Sequence, residues 1–455
     1  MKIIIVGGGL SGLTTWLYLR KTLPSPESHS IHVYESHNPH DELPTGAANP
    51  FPSMLGSLTD SAPVIGNIIS ITADSVRLIK QIDQKLYDLF KTRGYCNENY
   101  TFKTARGHTI GVVPVVDFQD PPEYTVCLPR YSFWKLLHEV VGENNIEYKR
   151  VIGVDLSGGK PRVTLANGES EDADLVVGAD GARSVVRVAL FGDDAEGKYA
   201  TEFEGFAGVG SFLDEDIPES ITKDKTMVFT FGPTGSFGYC SAAPVNQRVL
   251  SWWSNWGISD FPSSNVMNVE DVRRELRKRH GTWNDPVIQR IIDKMSTDRI
   301  YPVWTTPDLP FWGAKGALLV GDAAHTLRAM SGQGAGQALE DTVTLCQLLR
   351  HYLGRAEKGK MSVAEAVDAT SKALFEIRSP RTAAIRDRAR RMYLTKKPIR
   401  SVALEYLWYL FIYMCVRYRW VGYLVLGLMW KGDDWKAEDE VEKYLAEREK
   451  DGRLV

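Results

Sequence analysis

A chain of 455 residues is too long for one small core and suits two domains, or one large domain with an appendage. Its 43% hydrophobic and 24% charged residues exclude a collagen-like or disordered polymer, and a formal net charge of -3 gives no electrostatic case for nucleic acid. The five cysteines (Cys96, Cys127, Cys240, Cys346, Cys415) are scattered, with no CxxC and no ligand-like histidine spacing. That argues against a disulfide framework or a metal site and fits a reducing, cytoplasmic compartment. The 12 Trp and 19 Tyr read first as core, with pocket lining as the alternative.

The chain opens "MKIIIVGGGLSGLTTWLYLRK". The apolar run is too short for a cleavable signal and passes at once into glycines, so the N-terminus reads as a strand. "IIIV" is a β-branched run suited to a strand buried on both faces of a parallel sheet. Gly7, Gly9 and Gly12 then form G-x-G-x-x-G between that strand and an apolar-rich helix, the context this motif requires. Gly7 permits the tight turn, Gly9 lets the backbone approach a diphosphate, and Gly12 lets the helix pack on the strand. The helix N-terminus offers unpaired N–H groups to the phosphates. A second strand, "SIHVYE", ends in Glu35, at the offset where an acid takes ribose hydroxyls. FAD and NAD are not separated by these residues.

Residues 36–65 are rich in Pro, Ser, Gly and Asp without a period, and read as a long loop. A lid over substrate and a surface excursion are equally compatible with it. "ADLVVGADGARSVVR" is a further buried strand breaking at Gly178, followed by Asp180, Gly181, Arg183, Ser184 and Arg187. From about 200 to 260 the period becomes two, in "TMVFTFG" and "QRVLSWWSNW", which predicts antiparallel strands. Leu250, Trp252 and Trp256 fall on one side of the second run, Val249 and Trp253 on the other.

Next comes "GALLVGDAAH", a buried strand ending at Asp322, and then Gly332-Gln333-Gly334 at the start of a helix. A strand-end carboxylate can accept hydrogen bonds from a polyol, and a glycine-lined helix start can face an anion such as the edge of a reduced flavin. An NAD dehydrogenase has no need of such an element so late in the chain. Beyond it, "RSPRTAAIRDRARRMYLTKKPIR" is densely basic, while "SVALEYLWYLFIYMCV" and "VGYLVLGLMW" are strongly apolar. Both apolar runs are shorter than the ~20 residues of a spanning helix. Packing on the body or peripheral contact with anionic lipid is favoured over spanning.

Three motifs in this order, G-x-G-x-x-G, Asp180-Gly181 and Gly321-Asp322-Ala323-Ala324-His325, resemble the group A flavoprotein monooxygenases, relatives of p-hydroxybenzoate and salicylate hydroxylases and of fungal natural-product hydroxylases and epoxidases. The resemblance covers roughly residues 1–350. It implies an α/β fold: a Rossmann-like FAD-binding domain with an antiparallel β-sheet substrate domain and a C-terminal helical region. The corresponding boundaries are 1–185 and 301–355 for the FAD-binding domain, 186–300 for the sheet, and 356–455 for the helices.

Carried over to this chain, the resemblance assigns Gly7, Gly9, Gly12 and Glu35 to the FAD diphosphate and adenosine ribose. Arg130, in "CLPRYSFWKLL", would pair with the pyrophosphate. Asp180 and Gly181 would serve FAD and the visiting NADPH, with Arg187 the basic residue that ends that motif. Asp322 would bind the ribityl or pyrophosphate part, and Gly332, Gln333 and Gly334 the isoalloxazine ring. No second G-x-G-x-x-G appears, so NADPH (or NADH) is expected as a transient co-substrate.

Two positions depart from the family pattern. Ala329 stands where Pro is usual, and Gly336 where Asn is common. Arg328 beside the first reads as a solvated loop arginine, with an acidic group of the substrate as the alternative partner. The activity implied is oxygen transfer from O2, through a flavin C4a-hydroperoxide, to an aromatic or unsaturated substrate of the kind met in secondary metabolism. Arg183 is the candidate catalytic residue, with an FAD or surface salt bridge as the plainer role. An FAD-dependent dehydrogenase of the same fold, and a flavin-bound interaction protein without turnover, are the alternatives from other classes.

Overall fold

The computed structural model describes residues 1–38, 67–260, 267–298, 300–328, 331–392, 399–418, 421 and 435–450. Most of the 36–65 loop, Ala329, and nearly all of the apolar run after Val421 lie outside them.

Among the described residues a six-stranded sheet has the spatial order Gly313–Ala314, Ala317–Leu319, Leu175–Gly178, Lys2–Val6, Ser30–Tyr34, Ile146–Glu147. All neighbours are parallel except the first pair. Ile3, Ile4 and Ile5 are fully buried, as the uninterrupted β-branched run predicts for a strand covered on both faces. One face is covered by the Leu10–Thr22 helix, which packs on the Gly334–Glu357 helix. Register fixes what lies at the sheet's carboxyl edge. Val6 stands opposite Gly178, and Gly178 opposite Leu319. The three segments that follow these residues therefore leave the sheet side by side.

A second sheet of seven strands has the order Tyr301–Thr305, Glu202–Asp214, Val249–Gly257, Gly235–Ser241, Thr226–Gly232, Asn99–Thr104, Thr109–Pro114. It is antiparallel apart from one parallel pair, Thr226–Gly232 with Asn99–Thr104. This corrects the expected boundaries, because the sheet is not confined to 186–300. It recruits a hairpin from 99–114 and an edge strand from 301–305, whose backbone groups pair with strands of this sheet. The boundary at 355 likewise falls inside the Gly334–Glu357 helix.

The period-two pattern sorts the aromatics of this sheet onto two faces. Phe237, Tyr239, Leu250, Trp252 and Trp256 pack with Val272, Leu276, Ile288 and Ile291 from the helices Val269–His280 and Pro286–Lys294. Trp252 is fully buried and stacks on Phe237 at 5.7 Å. On the other face Tyr100, Phe102, Met227, Phe229, Phe231 and Trp253 form a separate aromatic layer. Phe229 stacks on Phe102 at 5.5 Å and meets Trp253 edge-on at 5.7 Å. Of the tryptophans in "SWWSNW", two are thus core and one belongs to the face away from the packed helices.

The C-terminal helices take two roles. Val363–Met392 packs along Gly334–Glu357, and Val402–Arg417 lies on the edge strand Thr109–Pro114. Among the described residues no helix is long and apolar enough to cross a membrane.

Gly12 shows how tightly the first helix is set. A Cβ there would overlap the carbonyl oxygen of Gly7, whereas a Cβ on Gly9 would meet nothing within 4 Å. Gly12→Ala is expected to lower stability by about 3 kcal/mol, the upper part of the overpacking range. Gly9→Ala is expected to stay within about 0.5 kcal/mol of wild type. Thermal melts of the two variants check the contrast.

Candidate functional site

The three motifs meet at the carboxyl edge of the parallel sheet. Gly7 adopts φ +105, and a Cβ on it would come within 2.5 Å of the Ala179 carbonyl oxygen and 2.9 Å of the Asp180 Cα. Only glycine allows the first turn to sit this close to the second. Gly321, at φ +59, is pressed on the Ser11 side chain at the start of the first helix, so the third segment also abuts the first.

The glycine turn is held on all sides. Gly7 N donates to Tyr34 O at 2.8 Å, and Gly8 N donates to Glu35 Oε2 at 2.6 Å. His37 N donates to Glu35 Oε1 at 2.7 Å. Glu35 is buried; its Oε1 also accepts from the Ser36 hydroxyl at 3.3 Å, while Oε2, engaged by Gly8 N, retains a lone pair for a further donor. Gly8 O accepts from Trp134 Nε1 at 3.1 Å and lies 3.3 Å from His138 Nε2. Trp134 and His138 lie four residues apart on the Arg130–Val141 helix, hence on one face of it. The other ring nitrogen of His138 lies 3.1 Å from the Tyr148 hydroxyl, so a neutral imidazole protonated at Nε2 satisfies both contacts. Burial pushes the His138 imidazole down to about 4, against the opposing pull of the Gly8 carbonyl.

Arg130 opens this helix, one turn before Trp134, and its side chain is exposed. Its backbone N–H donates to Asn67 O at 3.1 Å. The Asn67 side chain donates to Trp252 O at 2.7 Å and accepts from Ser251 at 3.0 Å, tying the helix start to the second sheet.

In the second motif Asp180 Oδ2 accepts from Val185 N at 2.7 Å, while the buried Oδ1 has no partner among the described residues. Burial raises the carboxyl, with the Ser184 hydroxyl and nearby backbone N–H groups opposing. Gly181 has φ +76 and open space where a Cβ would be. Arg183 is exposed on the Gly181–Arg183 turn. Arg187 ends the second motif, where a cofactor-binding residue is expected. It is buried, and its guanidinium donates to Ala323 O at 3.0 Å and to Ala182 O. These two carbonyl contacts brace the second motif against the third, while the buried Nε has no partner among the described residues.

In the third motif Asp322 begins the short Asp322–His325 turn and is half-buried. Gly332 is exposed at φ +63, Gln333 is buried, and Gly334 opens the long helix. Neither Gly332 nor Gly334 has an atom within 4 Å of an added Cβ. Neither this helix nor Leu10–Thr22 has a side-chain N-cap, which leaves first-turn N–H groups for an anion.

A buried ionic cluster beneath this segment escaped sequence reasoning. Asp341 Oδ2 accepts from Gly321 N at 2.9 Å and lies 2.6 Å from His325 Nε2, while its Oδ1 accepts from Arg378 Nε at 2.8 Å. Burial opposes the charged form, but His325 and Arg378 prevail and hold the carboxyl at about 2. Arg378 also engages Glu340 and Gln337, and Arg381 engages Glu340 at 2.6 Å. The basic stretch beginning at Arg378 is therefore not one solvated face: Arg378 and Arg386 are buried and ion-paired, the latter with Asp308. Arg328 is a second correction. It is buried rather than solvated, paired with Glu204 at the edge of the second sheet, and 3.4 Å from Ala389 O. A buried arginine demands such a partner.

Residues 142–367 match a family model described as an FAD binding domain, which spans the second and third motifs. The match identifies an FAD binding domain in this part of the chain. The chain is 31% identical over 231 residues to aurachin C monooxygenase/isomerase of Stigmatella aurantiaca, covering 49% of this chain and 55% of that protein. It is 28% identical over 235 residues to the chloroplastic zeaxanthin epoxidase of Solanum lycopersicum, covering 51% of this chain and 33% of that one. The chain thus spans about half, or less, of the length of these curated relatives. Among solved structures, Klebsiella pneumoniae HpxO complexed with FAD and uric acid superposes with a TM-score of 0.70 at 17% identity, over 94% of this chain and 96% of that one, which shows the shared fold. Over about half of its length the chain is thus similar in sequence to a named monooxygenase and a named epoxidase.

The site fits the cofactor. Open space lies at Gly9, Gly181, Gly332 and Gly334, two helix N-termini lack side-chain caps, and one buried Asp180 oxygen lacks a partner among the described residues.

His138 makes the glycine turn acid-sensitive. Its folded value of about 4 lies below the ordinary 6.5, so the unfolded chain binds the proton first as pH falls. Its contribution is intact above pH 6.5 and is lost progressively down to about pH 4, to a total of about 3 kcal/mol. His280, which burial pushes down to about 3, adds a slope of the same sign. His138→Gln, which keeps a donor for Gly8, is expected to flatten the acid side of the melting-temperature profile relative to wild type without abolishing it.

Proposed function

We propose that the chain is an FAD-dependent, NAD(P)H-consuming monooxygenase that hydroxylates or epoxidises an aromatic or unsaturated substrate. The convergence of three nucleotide motifs around one open, glycine-lined edge carries this reading. The names of its relatives support oxygen transfer over a dehydrogenase. When bound, FAD accepts hydride from NAD(P)H and, once reduced, activates O2 so that one oxygen atom enters substrate and the other leaves as water.

The chain's own residues divide the work. The Gly7–Gly12 turn and the helix after it would hold the diphosphate, with Arg130 supplying a positive charge from the next helix. Glu35, and the unengaged oxygen of Asp180, would accept hydroxyl hydrogens, and Asp322 would do so for the ribityl chain. Gly181 leaves room for cofactor and for visiting NAD(P)H. Arg187 would act indirectly, by fixing the Ala182 and Ala323 carbonyls. Gly332, Gln333 and Gly334 would bring the long helix's N-terminus to the flavin ring edge, where negative charge develops on reduction. The layer of Tyr100, Phe102, Phe229, Phe231 and Trp253 would orient an unsaturated substrate and exclude water. Natural-product metabolism, a cytoplasmic location and peripheral membrane contact through the C-terminal helices complete the reading.

Anaerobic mixing with NADPH is expected to bleach the flavin. Readmitting isotopically labelled O2 with a panel of aromatic and polyene substrates is expected to place one labelled atom in product. Reoxidation that yields only hydrogen peroxide across the panel, with fast reduction of artificial acceptors, would transfer the assignment to a dehydrogenase.

Arg183, exposed beside the second motif, would reach flavin or substrate oxygen. Arg183→Ala is expected to lower kcat at least about tenfold, one charge-assisted hydrogen bond's worth, with FAD content unchanged. Unchanged kcat would assign this arginine to the surface.

A further inference from the structure

The Val402–Arg417 helix is apolar around its whole circumference, a pattern normally confined to fully buried helices, yet half of it is uncovered. Val402, Leu404, Leu407 and Leu410 are each more than half exposed, with Tyr406, Tyr413 and Tyr418 exposed beside them. The helix holds one acid, Glu405, and turns it inward. Its carboxylate takes both ends of the Arg106 guanidinium, at 2.9 and 3.0 Å, and accepts from the Tyr409 hydroxyl at 2.8 Å. The outer face is therefore free of negative charge. Arg400 and Arg417 are exposed at its two ends, and residues 390–400 of the sequence carry five cations and no acid.

We propose that this face docks in the plane of an anionic lipid surface. Sixteen residues rise about 24 Å, short of a ~30 Å hydrocarbon core, so the helix would lie in the interface rather than span it. Leucines would enter the acyl boundary, tyrosines would sit at headgroup level, and the terminal arginines would meet lipid phosphates and carboxylates. The inner face gives the docking a use. Val416 seats against Gly111 of the edge strand and joins the layer of Phe102, Phe229, Phe231 and Trp253. The lipid-facing helix thus borders the aromatic layer assigned to substrate, which would place that layer beside a phase where apolar unsaturated molecules dissolve. The inference deepens the membrane contact proposed above and does not depend on the flavin chemistry, so vesicle binding and flavin reduction fail separately.

The test uses the full chain with FAD bound and sedimentation with vesicles of phosphatidylcholine, with and without phosphatidylserine. Wild type is expected to co-sediment, at least about tenfold more tightly when phosphatidylserine is present. The Leu407→Glu/Leu410→Glu double variant is expected to lose at least about tenfold in binding while keeping its flavin spectrum and NADPH oxidation. A wild type that stays in the supernatant with both vesicles overturns the proposal, as does equal binding by the double variant. A wild-type dimer in solution that the double variant converts to monomer overturns it too, since a second copy would then be the occupant of the face.

Discussion

Everything at the candidate site depends on one register. Because Val6 faces Gly178 and Gly178 faces Leu319, three chain segments separated by well over a hundred residues leave the parallel sheet at the same edge. Parallel strands all point their carboxyl ends one way, so the loops that follow have no choice but to share that edge. Gly7 then converts proximity into contact, since any side chain there would strike the Ala179 backbone. The open space around Gly9, Gly181, Gly332 and Gly334 is the complement of that close packing.

Beneath this open surface the structure is heavily tied. Asp341, His325 and Arg378 form a buried ionic cluster whose carboxylate also takes the Gly321 N–H, so the third motif is gripped from inside the helical layer. Arg187 links the second and third motifs through carbonyls, and Arg328 links the third to the second sheet through Glu204. Such desolvated pairs stabilise little against an apolar alternative, but they penalise any arrangement that leaves one member unpaired. Their effect here is positional: they fix the Gly321 N–H and the Ala182 and Ala323 carbonyls.

The second sheet repeats the lesson in aromatic residues. Neighbouring tryptophans, Trp252 and Trp253, have opposite duties because side chains alternate across a strand. Trp252 seals the packing against two helices, while Trp253 lies over Gly238 and meets Phe229 on the face that the C-terminal helix borders. That helix in turn packs this aromatic layer on one side and leaves an apolar surface uncovered on the other.

The sequence by itself determined whatever is local: the strand–glycine turn–helix at the N-terminus, the strand breaks at Gly178 and Gly321, the period-two sheet, and the apolar C-terminal helix. These are set by backbone allowance and by side-chain periodicity, which a single stretch of chain carries in full. Only the tertiary structure decided which charges are buried. Arg328 read as solvated and Arg378 as part of a basic run because a charged residue's burial depends on a partner, and Glu204 and Asp341 are brought to them by folding. The hairpin at 99–114 joined a sheet expected to start near 186 for the same reason: strand pairing is a non-local choice, settled by where unsatisfied backbone groups find each other.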